Sequence, residues 1–167
     1  MTPPAVLLVR PADVPEHVAE VLTAGAEGLV REVVSGQLCV CSPDARVLDE
    51  VERIGAPAVI IWPAVARLRG EHVQAALEDL EAGCDVVFGP LVDGGCYLLG
   101  FQELVPLVRE LLAEDRGSPG DALAGAAQSG FEIGYLRPER ALSSSEGVAL
   151  ALADPLTPPE IRQLLGG

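Results

Sequence analysis

Residues 83–101, reading GCDVVFGPLVDGGCYLLGF, place one carboxylate, Asp93, on a two-glycine turn between two apolar runs. The stretch 84–90 has the length, β-branched content and closing Gly-Pro of a buried strand, and 96–101 returns as another. Asp93 then lies just past a strand's C-terminal end, where open α/β sheets keep their ligands and a carboxylate can orient or deprotonate a hydroxyl. Gly94 and Gly95 tolerate positive φ and let a ligand approach the backbone. The same residues also suit an ordinary hairpin, because Asp-Gly is a strong turn signal. Both readings stand on residue types alone.

Other reactive side chains are sparse. Trp62, the sole tryptophan, closes the apolar run 57–62 and either packs as core or stacks on a ligand at a strand's end. His72 falls in the first turn of a periodic helix over 71–82, as a solvated polar residue or as a ligand contact. Arg67 precedes that helix and can offset phosphate charge together with the helix N-terminus. Cys39, Cys41, Cys84 and Cys96 all fall on expected strands, with Cys39 and Cys41 on one face, and read as buried reduced thiols. With His17 and His72 the only histidines, their spacing does not suit zinc. Ser143, Ser144 and Ser145 form a loop cluster without a nucleophile elbow, and neither a Walker A loop nor a Gly-x-Gly-x-x-Gly pattern is present.

The elements that must position these groups alternate. Residues 5–9 read as a buried strand and 14–25 as a helix closing at Gly25. Residues 29–34 alternate as an edge strand, unless the helix continues, and 37–41 form a strand. Ser42 and Pro43 start a helix that ends near Gly55, before the 57–62 strand. Beyond the turn come helices over 103–114 and from Ser118 to near Gly130, a strand at 131–136, and a loop-like stretch at 137–147. Thr157-Pro158-Pro159-Glu160 fits a capping box for a last helix. Strands separated by such helices imply right-handed crossovers. We expect a single α/β/α domain over 1–167, in three layers around a mainly parallel, mixed sheet, with 58–62 and 84–90 parallel neighbours or near neighbours.

Composition limits the partners. The chain has 167 residues, 25 acidic against 11 basic, and a net charge of −14, so it repels nucleic acid and acidic membrane surfaces over most of its surface. There is no lysine, which leaves arginine, backbone amides and helix N-termini to hold any phosphate. No apolar run reaches the roughly 20 residues of a membrane span, and the start lacks the pattern of a signal peptide, from which a cytoplasmic location is expected.

The turn stretch resembles the "GPaeDGGYYLiGl" signature of a bacterial family of glycosyltransferase-A-like proteins within the nucleotide-diphospho-sugar transferase superfamily, related to the molybdopterin and phospholactate nucleotidyltransferases. The match runs upstream through residues 58–90, and 154–165 weakly echo the family's closing "DvDTPEDLrrL". The resemblance implies a glycosyltransferase-A-type fold and a nucleotide or nucleotide-sugar ligand near Trp62, Arg67, His72, Asp93, Gly94, Gly95 and Tyr97. It also exposes departures. Ala64 stands at the metal-binding Asp position, Leu156 replaces the second acid of the closing motif, Cys96 replaces an aromatic residue, and the family's basic N-terminal loop has no counterpart after residues 5–11. A methyl group cannot ligate Mg²⁺.

Two readings follow. One is a degenerate relative that keeps the fold and the Asp-Gly-Gly loop and serves as a binding or assembly protein, alone, as a homo-oligomer or with another protein. The other is an active glycosyl- or nucleotidyltransferase with Asp93 as its catalytic carboxylate. No resident metal or cofactor is expected in the first, and Mg²⁺ or Mn²⁺ only in the second. Loss of the metal acid, the basic loop and every lysine together favours the first, since diphosphate departure needs its charge neutralised.

Overall fold

A computed structural model of the chain describes residues 2–113 and 119–167. Strands β1 (Ala5–Val9), β2 (Leu38–Cys41), β3 (Ala58–Ile61), β4 (Val86–Pro90), β5 (Cys96–Phe101) and β6 (Ile133–Tyr135) form one sheet in the order β2-β1-β3-β5-β4-β6. β1 pairs in parallel with β2 and β3, and β4 with β6. β5 is antiparallel to both β3 and β4, so those two run parallel on either side of it. The sheet is thus mixed and mainly parallel, and β3 and β4 are near neighbours as expected.

The central strands read as continuous apolar runs because both of their faces are covered. Their two-residue period divides them. Leu7, Ile60, Phe88 and Phe101 pack on one face against Val51 of α2 (Val47–Ile54), Val108 and Leu111 of α4 (Pro106–Leu112) and Leu123 of α5 (Pro119–Gln128). Val6, Leu8, Ile61 and Leu98 pack on the other against Ala26 and Val30 of α1 (Glu16–Val33) and Val73, Ala76 and Leu80 of α3 (Gly70–Glu81). A smaller apolar cluster joins Val18 and Leu22 of α1 to Ala151 of α6 (Ser145–Ala153), with Ile161 and Leu164 of α7 (Pro159–Gly166) against it.

Several expectations need correction. Residues 29–34 are not an edge strand. α1 runs on to Val33, because Val18, Leu22, Ala26 and Val30 make one buried helical stripe and tertiary burial overrides the local alternation. Gly25 accordingly sits inside α1 and caps nothing. α2 starts at Val47 and not at Ser42, whose Oγ accepts from the Asp44 amide at 3.3 Å and whose carbonyl accepts from Ala45 at 3.0 Å in a local turn. Cys84 precedes β4 and is not on a strand. The 137–147 stretch ends in α6, where Ser144 caps the helix by accepting from the Gly147 amide at 3.0 Å. Thr157 forms no capping box: α7 has Pro158 at its N-cap, and the Thr157 hydroxyl is buried with no partner. Ser118, the expected start of α5, lies outside the described residues. Among the described residues no helix is long and apolar enough to cross a membrane.

Candidate functional site

β1 leads into β2 through α1 on one face of the sheet, and β2 into β3 through α2 on the other. The chain therefore diverges above the C-terminal ends of β1 and β3, where a crevice forms for topological reasons. A cavity of about 430 Å³ occupies that position, lined by residues that include Arg10, Asp13, Trp62, Ala64, Tyr97 and Ser143. Its volume falls within the range of small-molecule sites.

Trp62 leaves β3 with its amide donating to the Tyr97 carbonyl at 2.8 Å. It is half-buried, packs against the cluster beneath α2, and lines the cavity without closing it. Tyr97 is fully buried, and its hydroxyl donates to the Arg137 carbonyl at 3.0 Å. Burial first, and the nearby Glu139 carboxylate second, push its phenol far above the usual range. Gly89 makes room for this ring, since a Cβ there would stand 2.8 Å from Tyr97 Cζ. Ala64 lines the same cavity and offers no ligand atom for a metal.

Asp93, Gly94 and Gly95 form the turn between β4 and β5, closed by Leu91 N–H to Gly95 O at 3.1 Å and Gly94 N–H to Leu91 O at 3.2 Å. The φ angles of Gly94 and Gly95 are 102° and 82°, which explains both glycines. Asp93 is exposed and is not among the residues that line the cavity.

Arg67 and His72 lie apart from Trp62, on a second cavity of about 470 Å³ that Arg69 and Arg137 also line. His72 is buried, not solvated. Its Nδ1 accepts from the Arg69 amide at 3.0 Å, so Nε2 carries the proton of the neutral ring and donates to Glu139 Oε1 at 3.2 Å. The Tyr97 ring meets His72 edge-on, with centroids 5.5 Å apart. Glu139 is 1% exposed and also takes Arg137 Nη2 at 3.1 Å and Arg67 Nε at 3.6 Å. Arg67 reaches Asp154 at 3.8 Å, and Asp154 in turn accepts from the Leu156 amide at 2.8 Å. The one acid kept from the closing motif is thus held in a structural pair.

Sequence reasoning missed Glu139 and Arg10. Glu139 sits in a stretch read as loop, and its partner His72 is 67 residues away, so nothing local marks it. Arg10 was detectable as the first residue past β1, a position that faces the crevice in this architecture. It is paired to Glu16, with Glu20 3.8 Å away. None of the four cysteines is in a disulfide, and burial pushes Cys41 above its ordinary value, which keeps it protonated.

Residues 41–118 match the family described as "Uncharacterized protein conserved in bacteria" (DUF2064). The resemblance of the Asp-Gly-Gly stretch is borne out. The matched DUF2064 segment runs from the end of β2 through the turn and past α4, and so contains Trp62, Ala64 and Tyr97 on the crevice as well as Asp93. A crystal structure from Desulfovibrio desulfuricans G20, of a protein described as a "putative nucleotide-diphospho-sugar transferase", superposes with a TM-score of 0.63 over 86% of this chain and 84% of that one. Its sequence identity is 16%, so the likeness shows the fold. No curated protein matches the sequence.

Proposed function

We propose that this nucleotide-diphospho-sugar transferase-like protein has lost metal-assisted transfer and acts as a binding or assembly protein through its strand-end cavity. The observation that carries this reading is the pairing of an open crevice with Ala64 on its wall and Asp93 outside its lining. Transfer from a nucleotide diphosphate requires a cation at the leaving group and a base within reach of the acceptor. Here the remaining acid of the closing motif is tied to Arg67, and Leu156, in place of the second acid, is 65% exposed. Arg10 is the cation among the described residues of the cavity wall. The partner is a small molecule, a second copy or another protein, and not nucleic acid, given the net charge of −14.

Thermal unfolding with a panel of nucleotide sugars and nucleoside triphosphates tests this, with and without millimolar MnCl₂. The melting temperature is expected to stay nearly constant, since a ligand held below its Kd stabilises by less than about 0.4 kcal/mol. A shift of several degrees that requires Mn²⁺ and vanishes in Asp93→Asn would instead establish a rebuilt metal and catalytic site.

A further inference from the structure

The strand-end cavity is poorly suited to phosphate. Among the described residues that line it, the charged ones are Arg10 and Asp13. Arg10 is already engaged by Glu16, with Glu20 3.8 Å away, so the one positive charge on the described wall is offset by these two carboxylates beside it and by Asp13 on the wall itself. The N-terminus of α1 is complemented in its first turn by Glu16 itself. Arg46, the N-cap of α2, is not on the wall and lies 4.0 Å from Asp49. Arg67 and Arg137, on the second cavity, are neutralised by Glu139 and Asp154. A phosphoanhydride placed in the crevice would meet, among the described residues of its wall, no cation other than the already engaged Arg10 to offset its charge.

The same wall suits a ring. Trp62 supplies an aromatic face, Val47 and Leu112 supply apolar contact, and Ser143 supplies a hydroxyl. We infer, building on the binding role proposed above, that the cavity takes a phosphate-free, ring-bearing molecule of about nucleoside size and discriminates against its phosphorylated form. Charge sets this preference, through the two glutamates that hold Arg10. Freeing Arg10 should therefore relax it.

Trp62 is the sole tryptophan, so its emission reports occupancy directly. The parent is titrated, without metal, with the common nucleosides and with their 5′-diphosphates, and calorimetry checks each positive. At least one nucleoside is expected to give a saturable change, with its diphosphate weaker by about tenfold or more. The variant Glu16→Gln/Glu20→Gln, checked for fold by circular dichroism, should narrow that gap to about threefold or less. No saturable nucleoside binding would overturn the inference. So would a diphosphate that binds the parent as tightly as its nucleoside, or a gap unchanged in the folded variant. Release of product from a nucleotide sugar would overturn the proposed function while leaving the nucleoside-to-diphosphate ratio as a separate measure of the cavity.

Discussion

Replacing Glu139 with alanine is expected to destabilise the protein by about 3 kcal/mol, read as a lower urea midpoint at unchanged m. Removing one partner from a buried ionic cluster leaves the others desolvated and unmatched, which costs about 3–5 kcal/mol. The lower end applies here because Arg137 is 62% exposed and Arg67 22%, so water can replace part of what they lose. His72 cannot recover in this way, being 10% exposed at its side chain. The backbone of Glu139 also fastens its segment to the turn, donating to Pro90 O and accepting from Val92 N–H, each at 3.0 Å. Loss of the carboxylate alone should leave those bonds in place, so the variant should unfold in one cooperative step. A loss below about 1 kcal/mol would mean that the cluster is no more than a solvated set of surface pairs.

Gly147→Ala should cost about 2–3 kcal/mol and loosen the cavity wall, whereas Gly25→Ala should raise stability by about 0.5–1 kcal/mol. At Gly147 a Cβ would stand 2.0 Å from the Ala141 carbonyl oxygen, which is backbone and cannot swing aside. Ala141 bridges Val65 and lines the cavity, so relief of the clash must displace the wall. At Gly25 a Cβ meets nothing within 4 Å, and the residue lies inside α1. Alanine there gains helix propensity without strain. A destabilised Gly25→Ala would argue that α1 ends at Gly25, as the local sequence alone suggests. Urea denaturation of both variants measures the contrast.

The sheet was legible because its strands are short apolar runs with a two-residue period, and Ile60 and Ile61 sort to opposite faces as that period requires. The Asp-Gly-Gly turn was legible because positive φ is a local demand that only glycine meets cheaply. The end of α1 was not, since Leu29 to Val34 alternate like a strand and only contact with the sheet decides for helix. α6 was hidden by its own cap, because three serines read equally as a loop and as a helix start. The candidate site was half legible. Trp62 and Tyr97 meet on one cavity as their places at strand ends imply, while Arg67 and His72 belong to another, joined by Glu139 across a long stretch of chain. Pairings of that kind depend on tertiary geometry and leave no periodic trace.

The most direct measurement is product formation from a panel of nucleotide sugars and nucleoside triphosphates with Mg²⁺ or Mn²⁺, followed for the parent and Asp93→Asn. With Ala64 on the crevice wall and Asp93 outside its lining, release of nucleotide or diphosphate is expected at the buffer rate for both proteins, and Asp93→Asn should match the parent in stability within about 0.5 kcal/mol. Metal-dependent release above that rate by the parent, abolished in Asp93→Asn, would contradict the loss of transfer chemistry.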